Sequence, residues 1–316
     1  MELRNDRRSA VKKIKTTIFT SKSDVDSFRK KIEKTFYAEF TPNRVERISE
    51  TIGGVDCDIL IPEVYSSDRI LLYVHGGSFV GGSRESWKSF CSLIANSTSS
   101  KVIVPEFRLA PEHKYPAATD DIAAVFKKLD AEEIIVAGDG SGANIAFSFI
   151  LGLKETDRQK ISKFIMFSPW LDFSEDAEYE LPRKLKDSVL SFDDICYASS
   201  QYAKAVDIVS YFVSPLKAEK ECYDSFPEVY IQAGENEFLV CQIKALEEKL
   251  DSIGVENTVD IVPKMMHMFQ MADEYLEEAH FAFERIGKFV NRRDGLSVKE
   301  QRERDRLIRE NNITVE

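Results

Sequence analysis

The segment from Ile134 to Asn144 constrains the fold of this chain more than any other part of the sequence. It reads IIVAGDGSGAN, in which an apolar run is followed by glycines at positions 138, 140 and 142. An apolar run bounded by turn residues predicts a buried β-strand, and the glycines allow a sharp turn into a following α-helix. We therefore predict a strand, a tight turn and a helix in immediate succession.

Alternation of strands and helices continues along the sequence. Short apolar runs predict strands near 69–74, 101–104, 133–137, 163–167, 228–232 and 258–262. Helical stretches separate most of them, near 86–97, 117–129, 142–154, 238–252 and 272–291. Strands of continuous apolar character that alternate with helices indicate a parallel sheet covered on both faces. The expected fold class is α/β, with a mostly parallel central sheet flanked by helices.

Two other patterns precede this region. An amphipathic helix from about 24 to 38 is predicted by apolar residues at helical spacing: Val25, Phe28, Ile32 and Phe36. Two alternating strands, near 44–52 and 55–61, are joined by Gly53-Gly54, which is typical of a hairpin. The basic residues of the first forty positions are most simply explained as a charged face in contact with water.

Charge and cysteine content narrow the possible functions. The net charge of −11 over 316 residues argues against a nucleic-acid partner, since phosphate binding needs a concentrated basic face. Five scattered cysteines, with no C-x-x-C pair and no histidine at metal-ligand spacing, favour reduced thiols in a cytoplasmic protein. The N-terminus lacks the apolar core of a signal peptide, and no apolar run reaches the roughly 18 residues of a membrane span. We expect a cytoplasmic protein without a membrane span.

One connection is longer than the others. Between Trp170 and Phe226 lies a stretch with prolines, many acidic residues and one predicted helix, near 192–206. Long insertions after a sheet strand often form a lid or cap over a site. We expect an N-terminal cap segment (1–43), a core (44–292) with a cap insertion at about 174–212, and a charged C-terminal tail (293–316).

Three motifs, in order along the chain, carry a family resemblance. They are residues 75–79 (HGGSF), 108–118 (RLAPEHKYPAA) and 138–144 (GDGSGAN). Together they resemble the hormone-sensitive-lipase-like family of α/β-hydrolase esterases, over roughly residues 45 to 290. The resemblance implies an α/β-hydrolase fold with an α-helical cap, carboxylesterase or lipase activity on a small-molecule ester, and no metal or organic cofactor.

The resemblance also implies roles for individual residues. Acyl transfer builds negative charge on the former carbonyl oxygen, and the expected donors to it are the N–H groups of Gly76, Gly77 and Ser141. His75 and Asp139 are expected to support this oxyanion loop and the turn.

The general base and its orienting acid follow two later strands. His267 matches the family's catalytic histidine loop, and the family has an acidic residue three places after the glycine at 234, which is Glu237 here. Such a carboxylate fixes the histidine tautomer and stabilises the imidazolium. Glu235 stays open as a competitor for this role.

The family pattern has serine at the centre of the turn, where this chain has Gly140. An ester hydrolase of this type needs an oxygen nucleophile beside the histidine, and glycine offers none. Three interpretations stay open. The chain is an esterase inactivated at this position, or a receptor-like pseudohydrolase that binds a small molecule, as in plant gibberellin receptors, which resemble the same family. In the third, Ser141 is the nucleophile after a rearrangement of the turn.

Substrate and assembly follow from resemblance alone. Small to medium carboxylic esters are expected rather than long triglycerides. The sequence leaves a homodimer open, because some relatives pair through the sheet edge. Several methionines flank His267, and such a cluster is more typical of a core than of a ligand site.

Overall fold

The computed structural model describes residues 6–42, 44–174 and 187–292. Within them, eight strands form one sheet in the order β1-β2-β4-β3-β5-β6-β7-β8. The strands are β1 (Glu46–Ile52), β2 (Val55–Ile61), β3 (Arg69–Val74), β4 (Lys101–Pro105), β5 (Glu133–Asp139), β6 (Ile161–Phe167), β7 (Glu228–Gly234) and β8 (Asn257–Val262). β2 runs antiparallel to β1 and β4, and the other pairs are parallel. The predicted α/β class with a mostly parallel sheet is confirmed.

Helices flank this sheet. They are α1 (Arg7–Ile14), α2 (Val25–Phe36), α3 (Lys88–Thr98), α4 (Ala117–Phe126), α5 (Gly140–Gly152), α6 (Glu155–Arg158), α7 (Phe192–Tyr202), α8 (Ala205–Ile208), α9 (Val240–Ile253) and α10 (Glu277–Val290). Short 3₁₀ turns lie at Lys15–Thr17, Pro215–Lys217, Lys220–Tyr223 and Phe269–Ala272. α3 packs against α10 and α4 packs against α5. α5, which leaves the glycine-rich turn, is buried over almost its whole length, so it is the central helix of the core.

The first helix, α1, was not expected from the sequence. Asp6 caps it by accepting a 3.0 Å hydrogen bond from the N–H of Ser9, and only Ala10 and Ile14 are buried. Two apolar positions one turn apart are too few to stand out from a basic segment, so the pattern predicted only a charged face. Lys13 of this helix forms a 2.7 Å ion pair with Glu274.

The long connection between β6 and β7 holds α7 and α8. The predicted helix near 192–206 is divided, because Ala203 and Lys204 are extended and separate the two helices. Part of the predicted cap insertion, residues 175–186, and the predicted tail, residues 293–316, lie outside the described residues. Among the helices that the structure describes, none combines the length and apolar character that a bilayer crossing requires.

Candidate active site

The candidate residues follow the carboxyl ends of five neighbouring parallel strands. β3 leads to the loop at 75–79, β5 to Gly140, β6 to Ser168 and Trp170, β7 to Glu237 and β8 to His267. Because parallel strands end at the same edge of a sheet, residues far apart in sequence meet there. This edge is the usual place for a ligand in an open α/β sheet.

The turn between β5 and α5 places Gly140 at the tip. β5 ends at Asp139, and Gly140 opens α5 with a backbone φ of +48°. The left-handed conformation costs a residue with a side chain about 1–2 kcal/mol, whereas glycine adopts it freely. The carbonyl of Gly140 accepts a 3.2 Å hydrogen bond from the N–H of Trp170, which ties the turn to the loop after β6.

Two ring nitrogens face Gly140. A Cβ built on Gly140 would lie 3.7 Å from Nε1 of Trp170 and 3.9 Å from Nε2 of His267. Both distances are ordinary van der Waals contacts, so a small side chain meets no clash here. The indole and the imidazole therefore converge on the point where a side chain at position 140 would begin.

Glu237 and His267 form a buried pair. Oε2 of Glu237 lies 3.1 Å from Nδ1 of His267, and neither side chain is more than 2% exposed. A carboxylate can only accept, so Nδ1 carries the proton and Nε2 of the neutral ring is left as an acceptor towards Gly140. Burial lowers the pKa of His267, but the hydrogen bond and charge of Glu237 raise it by more, and the net pKa lies above 6.5.

The other carboxylate oxygen of Glu237 is held separately. Oε1 accepts a 2.7 Å hydrogen bond from Oγ of Ser168 and a second one from the N–H of Gly234. The same Oγ of Ser168 accepts a 3.2 Å hydrogen bond from the N–H of Met268, next to His267. Ser168 thus connects the acid to the histidine loop, a role that the sequence analysis missed. No sequence signal identifies it, because the contact depends on how three strand ends meet.

Glu235, the competing acid, lies elsewhere. It is exposed, and its Oε2 accepts a 2.9 Å hydrogen bond from the N–H of Lys264. Among the described residues, no hydrogen bond joins Glu235 to a histidine. The structure therefore brings Glu237 to His267 and leaves Glu235 at the surface.

Asp139 anchors the loop at 75–79. Its Oδ1 accepts hydrogen bonds from the O–H of Tyr73 at 2.7 Å, the N–H of Gly76 at 2.9 Å and the indole N–H of Trp87 at 2.9 Å. Burial raises the pKa of Asp139 to about 6, although these three hydrogen bonds act in the opposite direction. The N–H of Gly76 was expected to donate to a ligand, and this needs correction, because its single hydrogen is used by Asp139.

The N–H groups of Gly77 and Ser141, also expected to be oxyanion donors, make no hydrogen bond of this kind within the described residues. The N–H of Ser141 lies in the first turn of α5, where a helix has no acceptor of its own. Among the described residues, no hydrogen bond uses the N–H of Gly77 or of the next residue, Ser78. Three backbone N–H groups beside the turn, those of Gly77, Ser78 and Ser141, therefore have no acceptor among the described residues.

Side chains of the same loop are held by the rest of the protein. Oγ of Ser141 accepts a 3.0 Å hydrogen bond from the N–H of Phe79, so this hydroxyl braces the loop. Oγ of Ser78 donates to the carbonyl of Thr17 and accepts from the N–H of Phe19, both at 3.0 Å. The loop is thus fastened to α5 on one side and to the N-terminal segment on the other.

His75 supports the loop through its neutral ring. Nδ1 lies 2.9 Å from the carbonyl of Gly76, and the ring stacks on Phe107 with centroids 4.3 Å apart. Burial lowers the pKa of His75 to about 4, although the hydrogen bond to Gly76 acts in the opposite direction. At neutral pH the ring is therefore uncharged and donates its Nδ1–H to that carbonyl.

Aromatic residues line the surroundings of Gly140. Phe79 stacks on Tyr202 of α7 with centroids 4.0 Å apart, and meets Trp170 and Phe173 edge-on at 5.8 Å. Such a wall suits an apolar part of a ligand. Among the described residues, no group of three or more metal-ligating side chains is arranged to hold a metal ion.

Known proteins that resemble this chain identify its fold family. A model of the α/β-hydrolase fold family matches residues 71–271. An acetyl-hydrolase of Streptomyces hygroscopicus is 27% identical over 254 residues, which cover 79% of this chain and 84% of that protein. An esterase of Acinetobacter venetianus is 29% identical over 235 residues, which cover 72% of this chain and 77% of that protein.

Solved structures give the same picture. A hormone-sensitive lipase from a metagenome library superposes with a TM-score of 0.80 at 26% identity, covering 92% of this chain and 100% of that one. An esterase of the bacterial hormone-sensitive lipase family, at 23% identity, shares the fold with a TM-score of 0.81 over 90% of this chain and 96% of that one. The chain therefore belongs to the α/β-hydrolase fold family, in its hormone-sensitive-lipase-like branch.

Proposed function

We propose that this chain is a carboxylic ester hydrolase of the hormone-sensitive-lipase-like type in which Gly140 has removed the acyl-enzyme route. The observation that carries the proposal is the buried Glu237–His267 pair, whose free Nε2 faces the Cβ position of Gly140 at 3.9 Å. A serine hydroxyl placed there would lie within hydrogen-bond reach of the histidine. With glycine at position 140, the chain has the base and the acid but no attacking oxygen of its own.

The remaining groups take the roles that acyl transfer requires. His267 is the general base, and Glu237 holds its tautomer and stabilises the imidazolium. The N–H groups of Gly77, Ser78 and Ser141 are the donors to the oxyanion, because their positions are fixed by the fold before charge develops on the oxygen. His75 and Asp139 act by holding the loop that carries two of these donors.

Ser141 does not replace the missing nucleophile in this proposal. Its Oγ accepts a hydrogen bond from the N–H of Phe79, and no hydrogen bond joins it to His267 among the described residues. Recruiting it would require the turn to rearrange and the loop to lose that contact.

The substrate class is proposed from the relatives and from the aromatic wall. The curated relatives include an acetyl-hydrolase and an esterase, and we propose small to medium carboxylic esters. We also propose that residues 1–43 and the insertion at about 174–212 form the cap, since Phe19 stacks on Tyr197 of α7 with centroids 5.5 Å apart. A cytoplasmic location stays a prediction from the sequence, which leaves a homodimer open.

The test compares Gly140→Ser with Gly140→Ala. Both variants add a Cβ in the same strained conformation, and only the first adds the oxygen. We expect Gly140→Ser to hydrolyse p-nitrophenyl acetate at least about 10³-fold faster than Gly140→Ala, and His267→Ala added to it to remove the gain. If folded Gly140→Ser stays as inert as Gly140→Ala, the proposal is wrong. Tight binding of a small ligand by the unaltered chain would then favour a receptor-like function.

A further inference from the structure

Trp170 holds a buried hydrogen-bond donor without a partner. Its side chain is 1% exposed, and its indole Nε1 makes no hydrogen bond to any residue that the structure describes. An unpaired buried N–H costs about 1–3 kcal/mol, so nearly all such groups in folded proteins have a hydrogen-bond partner. A buried N–H without a partner therefore needs an explanation. This indole N–H is therefore available to donate to a group from outside the described residues.

The indole faces the same point as the free nitrogen of His267. A Cβ on Gly140 would lie 3.7 Å from the indole Nε1 and 3.9 Å from the imidazole Nε2. Apart from the chain neighbours of Gly140 and the backbone of its own helix, no other described heavy atom lies within 4 Å of that point. One donor and one acceptor thus converge beside a residue that has no side chain.

We propose that the hydroxyl oxygen of water or methanol binds beside Gly140, between Trp170 Nε1 and His267 Nε2, and attacks an ester directly. A hydroxyl both accepts and donates, so it satisfies the indole N–H and the imidazole nitrogen together. This inference rests on the proposed function, because it uses the same base and the same N–H donors. It differs from the acyl-enzyme route in that no covalent intermediate with the protein forms.

Glycine at position 140 is part of this site. A free oxygen is not bonded to the side chain of residue 140 and approaches the Cα of Gly140 to about 3.3–3.6 Å, further out than a serine oxygen. A Cβ at this position would occupy part of that volume. The same substitution that removes the serine oxygen therefore leaves room for an oxygen from solution.

The reaction balances with the groups at hand. The bound hydroxyl oxygen forms a bond to the ester carbonyl carbon while its proton passes to Nε2 of His267. The carbonyl oxygen carries the negative charge until the bond to the leaving alkoxy group breaks, and His267 returns the proton to that group. Water yields the acid and the alcohol, and methanol yields the methyl ester and the alcohol.

Methanol makes the attacking molecule visible in the product. With p-nitrophenyl acetate and methanol, we expect the unaltered protein to form methyl acetate, and His267→Ala to form it only at the uncatalysed rate. An equal concentration of tert-butanol should give no ester, because the three methyl groups on its carbinol carbon crowd the attacking oxygen. The reaction should be on the order of 10⁴-fold or more slower than p-nitrophenol release by Gly140→Ser, since a tethered hydroxyl has an effective concentration of about 10⁵ M or more.

A second measurement does not depend on turnover. The chain has two tryptophans, and the indole N–H of Trp87 is already held by Asp139 at 2.9 Å. In nuclear magnetic resonance spectra, methanol should therefore shift the Trp170 indole N–H signal, identified by its loss in Trp170→Phe, and leave that of Trp87 unchanged. tert-Butanol should shift neither, and Gly140→Ala should abolish the methanol shift.

These experiments separate the inference from the proposed function. If Gly140→Ser is an active esterase but the unaltered protein forms methyl acetate no faster than His267→Ala, the inference is wrong and the proposed function stands. An equal shift of the Trp170 signal by methanol and tert-butanol would also overturn the inference. If Gly140→Ser and the unaltered protein are both inert, the proposed function has failed.

Discussion

Oγ of Ser168 donates a 2.7 Å hydrogen bond to Oε1 of Glu237, the carboxylate oxygen opposite the one that faces His267. The hydroxyl also accepts from the N–H of Met268, so it fixes the distance between the acid and the loop of the base. Ser168, which follows β6, thus sets the geometry of the Glu237–His267 pair. We regard Ser168 as a positioning residue.

Replacement of Ser168 tests this role. Ser168→Ala should lower the free energy of unfolding by about 1–3 kcal/mol, because a fully buried carboxylate loses a donor and a buried N–H loses its acceptor. In the Gly140→Ser background it should also lower kcat more than it raises KM, since the misplaced base acts on the reacting atoms and not on substrate binding. Urea unfolding and steady-state ester hydrolysis measure the two effects. An unchanged kcat with reduced stability would show that Ser168 is only structural.

The two glutamates offer a matched pair of substitutions. In the Gly140→Ser background, Glu237→Gln should reduce kcat by about 10³- to 10⁴-fold, because the amide no longer holds the tautomer or stabilises the imidazolium. It should also move the rise of activity with pH to lower pH, since the charge of Glu237 raises the pKa of His267 and activity needs the neutral ring. Glu235→Gln should leave kcat within about twofold, as expected for an exposed side chain. A larger loss with Glu235→Gln would reassign the acid.

Substitution by alanine should change stability differently at Gly140 and at another glycine of the same helix. Gly140→Ala introduces a side chain at a φ of +48° and should cost about 1–2 kcal/mol of stability. Gly152, at the end of α5, is exposed and has no positive φ, and an added Cβ would lie 3.6 Å from a ring carbon of Phe212. Gly152→Ala should therefore be neutral or stabilise by up to about 1 kcal/mol. The shift of the urea unfolding midpoint measures both effects. Shifts of the same sign for the two variants would contradict the left-handed conformation at Gly140.

Stability should depend on pH through Asp139. Burial raises the pKa of its carboxyl to about 6 in the folded chain, from 3.8 in an unperturbed aspartate. The folded state therefore holds a proton that the unfolded state releases, and this contribution is complete below pH 3.8 and is lost as the pH rises to about 6. Its size is about 3 kcal/mol from the pKa difference.

Asp139→Asn isolates this contribution. Asparagine has a similar shape and its carbonyl can accept from the N–H of Gly76, but it does not titrate. As the pH rises from 3.8 to above 6, the unaltered protein should lose stability relative to Asp139→Asn. Urea unfolding of both proteins at a series of pH values measures the difference. A difference that is constant, or that grows in the other direction, would mean that Asp139 stays ionised when folded.

The elements of the sheet were predictable because each one is a local pattern. The hairpin around Gly53-Gly54 and the strand before Gly138 were expected from alternation and glycine placement, and both are present. α1 was not expected, since two buried residues in a basic helix give too weak a signal. The division of the 192–206 helix at Ala203 is likewise set by packing, because that residue is a good helix former by itself.

The features of the site also fall into those that local sequence predicts and those that depend on tertiary structure. The sequence by itself determined the strand, the tight turn with glycine at its tip and the motif order, because positive φ and short-range spacing are properties of neighbouring residues. Only the tertiary structure decided which groups meet around that tip. The contact of Ser168 with Glu237, the use of the Gly76 N–H by Asp139 and the unpaired indole of Trp170 beside Gly140 all join residues from different strand ends. Such distances depend on sheet order and register, which no local stretch of sequence encodes.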